Sequence, residues 1–269
     1  MNKLEAYIKK IIFTVLAVFF SSALFAENLT GYDIMKKSKN MDCSKTSESK
    51  ATMEIVNKKG VKRVREVLMK EKDFGSEKKS VIVFQTPKDV SGVAYLSIEY
   101  EKKNDGTKKD SDNWLYMPAM KKTRRISGSE SEGDFMGTDF TYSDMDELDL
   151  DKENYTLLGT EKIGDEECFK IEAIRKDTSK KEPRRIVWIS TENFMLYKAE
   201  YFDRQNALHR VLTCENIEKI DGYYSSGKMT IKNVQSEHYT VLTRSQIAFD
   251  KDISDSIFTV SALERGTIR

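Results

Sequence analysis

The sequence predicts a mainly β protein built on one long antiparallel sheet. About a dozen runs alternate apolar and polar side chains with a period of two, which is typical of strands with one buried face. Short turn-like pieces such as NKKG and DGYYSSG separate these runs. Because no long helical segment lies between them, parallel crossovers are excluded and the strands are expected to form a meander.

The elements follow one another in a simple order. Residues 30–41 place Ile34, Met35 and Met41 at helical spacing behind Thr30 as a cap, which predicts a short amphipathic helix. The period then changes to two, and a terminal turn of helix is expected around Ile257. The predicted strands are residues 49–57, 64–71, 80–85, 92–101, 113–117, 154–159, 167–175, 185–190, 194–202, 207–216, 228–236 and 239–249. A sheet this long must curl, close or split into two.

Composition and charge limit the possible functions. The 269 residues are 39% hydrophobic, with 13 Phe and 12 Tyr, so a packed core is expected. The balance of 45 Lys+Arg against 44 Asp+Glu leaves a net charge of +1, which gives no general field for binding nucleic acid. The chain contains neither a strong internal repeat nor a Pro- or Ser-rich linker. One domain over residues 27–269 is therefore favoured.

The first 26 residues have the order of a secretory signal peptide. Lys3, Lys9 and Lys10 precede an uncharged apolar run from residue 11, and SSALFA ends in a small residue before Glu27. We expect cleavage after Ala26. The alternative is an uncleaved anchor, but this run is shorter than the ~20 residues that span a bilayer. The first cysteine lies well after the apolar run, so a lipid-modified N-terminus is not expected.

Three cysteines, Cys43, Cys168 and Cys214, permit at most one internal disulfide in an oxidising compartment. Cys168 and Cys214 are the favoured pair because each falls in a strand-like run. The alternative is that all three are unpaired, mostly buried thiols. A CxxC motif is absent, so neither a redox motif nor a structural zinc site is indicated.

Two neighbouring stretches differ in charge. Residues 127–151 contain nine acidic residues and no basic one, and they predict a long ordered loop. Just before it, Lys121, Lys122, Arg124 and Arg125 form a basic cluster. This cluster is interpreted as a solvated strand edge, which discourages aggregation, or as a docking site for an anionic lipid surface or acidic partner. Engagement of the adjacent acidic loop is favoured over a membrane.

The residues that usually carry chemistry do not form a recognisable catalytic pattern. GxSxG, HExxH, Walker A and GxGxxG motifs are absent, and His209 and His238 are interpreted as exposed or structurally hydrogen-bonded. The acidic run 144–154 fails the EF-hand pattern, because Leu148 and Asp149 stand where an oxygen ligand and a glycine are needed. We therefore expect no enzyme activity, metal or cofactor.

Residues 113–146, NWLYMPAMKKTRRISGSESEGDFMGTDFTYSDMD, are the most distinctive stretch of the chain. They resemble the signature of the outer-membrane lipoprotein-sorting protein family, the LolA-like group often associated with RND-type exporters. One half of the signature is WLY at 114–116, Pro118 and RRI at 124–126. The other half is FMGTDFTY at 135–142 with Asp144. A looser resemblance covers most of residues 27–269.

This resemblance implies a fold and a function. The implied fold is an incomplete antiparallel β-barrel, a LolA/LolB-like half-barrel around an apolar concavity, with a few short helices or loops as a lid. The implied function is a non-enzymatic periplasmic carrier that binds acyl chains of lipoproteins or lipids and transfers them toward the outer membrane. Its partners would be that cargo, an RND-type inner-membrane exporter and, transiently, a membrane. The alternative is an accessory subunit docked on such an exporter or envelope complex without carrying lipid.

Aromatic and methionine side chains of the signature are the candidate ligand-binding residues. Residues 128–146 are the candidate lid or rim, with Gly128, Gly133 and Gly137 as flexible points. Two interpretations stay open for the aromatic residues, which either seal one end of the barrel or contact the ligand. The candidate lid and cavity residues are Trp114, Tyr116, Met117, Phe135, Met136, Phe140 and Tyr142.

Overall fold

Thirteen antiparallel strands form a single sheet in the computed structural model, which describes residues 29–41, 44–266 and 268. Gly31–Arg269 form one compact unit. The expected signal peptide and Cys43 lie outside the described residues. Neither helix of the described ranges has the length and apolar character needed to cross a membrane.

The elements keep the predicted order. The helices are α1 (Gly31–Lys39) and α2 (Val260–Arg265). The strands are β1 (Thr46–Val56), β2 (Lys62–Asp73), β3 (Glu77–Thr86), β4 (Ala94–Tyr100), β5 (Asp112–Met117), β6 (Lys122–Ile126), β7 (Glu153–Ile163), β8 (Glu166–Arg175), β9 (Arg184–Ser190), β10 (Leu196–Phe202), β11 (Leu208–Ile220), β12 (Tyr223–Asn233) and β13 (His238–Phe249).

The sheet is curved and does not close. Its strand order is β6-β5-β4-β3-β2-β1-β13-β12-β11-β10-β9-β8-β7, so β6 and β7 are its two edges. The chain runs outward from β1 to β6 and returns from β7 to β13, which pairs with β1. Residues 127–152, called here the linking segment, connect one edge to the other and include four 3-10 turns. The predicted mainly β, incomplete antiparallel barrel is confirmed.

Alternation along the strands divides the sheet into two covered faces. The inner face carries Val67 and Phe84, which lie opposite each other on β2 and β3. On the outer face, Val81 and Leu96 pack with Phe258 and Leu263 of the C-terminal region. Both faces are therefore apolar in this half of the sheet, and the C-terminal region with α2 covers the outer face over β3 to β5.

The helix α1 packs closely against the edge strand β7. A Cβ atom at Gly31 would lie 3.0 Å from the backbone nitrogen of Leu157, so a larger residue would require α1 or β7 to shift by a few tenths of an ångström. Tyr32 lies 6.2 Å from Tyr155, measured between ring centroids. At the other end of the helix, Lys39 pairs with Glu147 of the linking segment at 3.3 Å.

Two details differ from the sequence-based expectation. The strand β6 was not among the predicted strands, because only Ile126 of its five residues is buried. The favoured disulfide was wrong, since Cys168 and Cys214 are both free and buried. They lie on β8 and β11, with β9 and β10 between them. Neighbouring strands are about 4.8 Å apart, so the two cysteines are about twice as far apart as a disulfide permits.

Candidate functional site

A cavity of about 1080 Å³ lies on the inner face of the sheet. Its floor is formed by aliphatic and methionine side chains that alternate with outer-face residues along five strands. Because the sheet curves without closing, these side chains do not meet across the interior, and space remains between them and the linking segment. The floor residues are Met69, Ile82, Leu212, Met229, Ile231 and Leu242.

The rim of this cavity is polar and carries both signs of charge. It combines residues 143–149 of the linking segment with the loop after β4 and the turn after β8. Lys108 and Asp110 line the cavity from the loop, and Asp177 and Lys180 line it from the turn. An apolar floor beneath a wet, charged rim suits a ligand with a hydrocarbon part and a polar end.

Arg244 lies beside the floor residues on β13. Nη1 of Arg244 donates to Oγ of Ser225 at 2.9 Å, and its Nε donates to Oγ of Ser49 at 3.3 Å. Arg244 and Ser49 both line the cavity. The apolar surface therefore includes a positively charged donor group at this point.

The linking segment is held on the sheet by a buried carboxylate, Asp139. Its Oδ2 accepts a hydrogen bond from Oγ1 of Thr240 at 2.7 Å, and its backbone N–H donates back to the same hydroxyl at 3.0 Å. Nδ1 of His238 lies 2.8 Å from the carboxylate. Three contacts from β13 thus fix the middle of the segment.

Arg210 on β11 is the centre of a second, buried ionic group. Its Nε and Nη2 atoms donate to the two carboxylate oxygens of Glu182 at 2.7 and 2.6 Å, and its Nη1 donates to Asp144 at 2.6 Å. Nδ1 of His209 lies 2.5 Å from Glu182. Burial alone would raise the pKa of Glu182, but hydrogen bonds from His209 and Arg210 lower it to about 2. This group is arranged to hold the segment in place.

An aromatic cluster fills the space beneath the segment. Phe135 is fully buried, and its ring lies 5.4 Å from Tyr95, 5.3 Å from Tyr142 and 6.0 Å from Phe84, measured between centroids. The edge-to-face geometry with both tyrosines is a favourable one for aromatic pairs. Phe135 and Tyr142 therefore seal the interior beside the cavity.

The seven candidate ligand-binding residues do not lie together in the structure. Phe140 lines the cavity. Met136 adopts a left-handed backbone conformation, with a φ of 52°, and its carbonyl accepts a hydrogen bond from Arg65. Trp114 and Tyr116 pack on the outer face against the C-terminal cluster. Met117 is half-buried at the end of β5.

Two carboxyl groups lie together where the rim meets the sheet. Asp146 accepts hydrogen bonds from Nδ2 of Asn113 at 2.9 Å and from the hydroxyl of Ser111 at 3.3 Å, and Glu99 lies beside it. Burial, reinforced by the charge of Asp146, raises the pKa of Glu99 to about 7. Burial also raises the pKa of Asp146 above its usual value. Both groups line the cavity.

Sequence reasoning did not identify the partners of the signature. Asp139 was recognised only as a signature residue and Asp144 as a signature residue and the first residue of the acidic run, whereas Arg210 and Glu182 were not singled out. His209 was interpreted as structurally hydrogen-bonded or exposed, and it is buried and hydrogen-bonded. The separation along the chain, 66 positions between Asp144 and Arg210, left no local signal.

Solved structures from three bacteria resemble this chain. A DUF1329 family protein from Desulfovibrio piger is 32% identical with a TM-score of 0.80, over 87% of this chain and 97% of that one. A putative outer membrane lipoprotein-sorting protein domain from Vibrio parahaemolyticus is 28% identical with a TM-score of 0.80, over 87% and 98% of the chains. A LolA superfamily protein from Nitrosomonas europaea shares the fold at 19% identity, with a TM-score of 0.66 over 87% and 99% of the chains.

Of two sequence comparisons, one gives a match. A family model described as "Uncharacterized protein" matches residues 76–265, which include the signature and most of the sheet. No protein among curated sequences matches the chain. The chain belongs to the DUF1329 family and has the LolA-like fold of the outer-membrane lipoprotein-sorting proteins.

Proposed function

We propose that this protein is a non-enzymatic carrier that binds the acyl chains of lipoproteins or lipids on the inner face of its sheet. The observation that carries the proposal is the cavity of about 1080 Å³ above an aliphatic floor. Ligand sites usually measure about 300–1,000 Å³, so this space is ample for hydrocarbon chains.

Simple energetics support such a role. Each buried CH₂ group contributes about 0.8 kcal/mol, so an acyl chain needs little polar recognition to bind. Methionine side chains such as Met69 and Met229 adapt to different ligand shapes because they are flexible and unbranched. The rim and Arg244 would then face the polar end of the ligand.

The proposal also covers the cellular location of the protein and its partners. The signal peptide expected at residues 1–26 and the lipoprotein-sorting relatives both favour the periplasm, with delivery toward the outer membrane. The carrier offers no energy source, so the direction of transfer would come from partners. An RND-type inner-membrane exporter and a transient membrane contact are the partners that we propose.

Bound lipid is the direct test. Organic extraction of the purified native protein, followed by mass spectrometry, is expected to release acyl lipid. Displacement of a fluorescent fatty acid should then give a binding constant. Met229→Glu places a charge on the half-buried floor and is expected to weaken binding at least tenfold, whereas Leu158→Glu on the exposed edge of β7 is the matched control. Equal binding by both variants would contradict the cavity assignment.

The edge strand β7 favours the alternative of a docked subunit. It is eleven residues long, its outer side pairs with no other strand of the described residues, and Leu158, beyond the contact with α1, is 50% exposed. Such an edge can accept a strand from another protein. A stable complex captured through β7, from protein that releases no acyl lipid on extraction, would favour the docked subunit over the carrier.

A further inference from the structure

Three hairpin turns at one end of the sheet are rich in basic residues. They join β1 to β2, β3 to β4 and β5 to β6, and successive hairpins of a meander place alternate turns at the same end. The second and third turns are in contact, since a Cβ atom at Gly92 would lie 3.4 Å from Cγ of Pro118. We call residues 57–64, 87–92 and 118–122 the hairpin patch.

The charge of the hairpin patch differs sharply from that of the whole chain. The patch contains seven basic residues and one acidic residue, Asp89, although the whole chain carries a net charge of only +1. Lys62 pairs with Glu54 at 2.8 Å, and among the described residues the other six cations have no carboxylate within ion-pair distance. The seven cations, all exposed, are Lys58, Lys59, Lys62, Arg63, Lys88, Lys121 and Lys122.

Large apolar side chains are exposed between these charges. Val61 is 58% exposed at the tip of the first turn, Val64 is 48% exposed beside it, and Met120 is 54% exposed at the tip of the third turn. The described part of the chain leaves few large apolar side chains so exposed, and these three share one end of one half of the sheet. Exposed apolar tips among lysines are typical of surfaces that rest on a bilayer.

The neighbouring arginines do not belong to this patch. Arg124 pairs with Glu130 of the linking segment and Arg125 pairs with Asp112, so both of these charges are already neutralised. The basic cluster recognised in the sequence therefore has two parts. Its arginines form ion pairs within the protein, and its two lysines are exposed to solvent. Only Lys121 and Lys122 extend the hairpin patch.

We propose that the hairpin patch docks the protein on an anionic membrane surface, with its lysines at the headgroups and Val61 and Met120 inserted at the interface. The patch consists of projecting turn tips, which suits a lipid surface better than the groove that a peptide would need. The purpose of docking rests on the proposed carrier function, since exchange of an acyl ligand requires contact with a bilayer. The electrostatic attraction between the protein and the membrane depends only on the hairpin patch and not on the cavity.

The test is co-sedimentation with vesicles of phosphatidylcholine containing 30% phosphatidylglycerol, compared with pure phosphatidylcholine. The wild-type protein is expected to bind the anionic vesicles and to lose binding as salt is raised. Each lysine removed should weaken binding about fivefold. The Lys58→Glu/Lys121→Glu variant should therefore lose at least tenfold. The matched control, Lys103→Glu/Lys162→Glu, has the same charge change on exposed lysines outside the patch and should stay near wild type.

A second variant separates insertion from charge. Val61→Ser/Met120→Ser keeps every charge and should weaken binding severalfold at both low and high salt. Equal binding to both vesicle types, or equal loss in the patch and control charge variants, would overturn the proposal and leave an acidic protein as the partner of the patch. Displacement of the fluorescent fatty acid, measured on the same variants, reports the cavity separately. Vesicle binding without fatty-acid binding would refute the carrier function alone.

Discussion

The Nη1 atom of Arg210 donates a hydrogen bond to Oδ2 of Asp144 over 2.6 Å and so joins the linking segment to β11. Asp144 also caps its own 3-10 turn, because its carboxylate accepts the backbone N–H of Thr141 at 2.7 Å. The same carboxylate thus shapes the segment locally and fastens it to the sheet. This makes the segment beside the cavity a fixed rim at this point.

Loss of Arg210 is expected to be strongly destabilising. Arg210→Met leaves the buried carboxylate of Glu182 and the half-buried carboxylate of Asp144 without their cation, and breaking a buried ionic group in this way costs about 3–5 kcal/mol. Urea unfolding measures the change. The control is Lys102→Met, which removes an exposed ion pair to Asp151 at the other end of the same segment and should have little effect. Similar losses in both variants would contradict the anchoring role.

The stability of the protein should fall as pH rises from 4.5 to 7. The pKa of Glu99 is about 7 in the folded state against 4.5 ordinarily, so in this window the folded state holds a proton that the unfolded state releases. The stabilising contribution of this proton is therefore complete below the unfolded pKa and is lost as pH rises through the folded pKa, by at most ~3 kcal/mol. Urea unfolding of Glu99→Gln should show a much shallower slope, with the raised pKa of Asp146 as its remaining source, while Glu218→Gln should retain the full slope. Parallel pH profiles for wild type and Glu99→Gln would refute the prediction.

A methyl group at position 31 is expected to destabilise the protein. Alanine normally favours a helix over glycine, but its Cβ atom at Gly31 would lie 3.0 Å from the backbone of β7. Overpacking of this kind costs about 1–3 kcal/mol, so the packing effect outweighs the helix propensity. Thermal unfolding of Gly31→Ala should show a lower midpoint, and Lys36→Ala on the exposed side of α1 should not. A raised midpoint for Gly31→Ala would show that α1 can move away from β7.

The two buried thiols should be unreactive in the native protein. Burial raises the pKa of Cys168 to about 11 and that of Cys214 to about 12, so little thiolate exists at pH 8. In a Cys43→Ser variant, Ellman's reagent is expected to detect almost no thiol before unfolding. After unfolding without reductant, both thiols should react. An absence of thiols in the unfolded protein would instead establish a disulfide between the two.

Strand existence was predictable because period-two alternation is a local property. The strand β6 was not predicted because its alternation is hidden. Arg124 occupies an inner-face position opposite Leu115, where an apolar residue would be expected. A lysine- and arginine-rich edge strand is a common protection against aggregation, and it removes the signal by which strands are recognised.

Which face is the inner one could not be read from the sequence. Leu115 and Trp114 are adjacent on β5 and point to opposite faces, and both faces are apolar because the C-terminal residues around Phe258 cover the outer one. The signature therefore mixes residues of the cavity side with residues of the opposite side. Asp144 of the signature pairs with Arg210, which lies far away in the sequence, and only the folded structure brings the two together.

The pairing of β1 with β13 has a consequence for how the molecule is made. Ser47 lies opposite Phe249, so the central ladder of the sheet joins the first strand to the last one synthesised. Contacts this distant in sequence form slowly, and the two halves of the sheet cannot unite until the C-terminal strand is present.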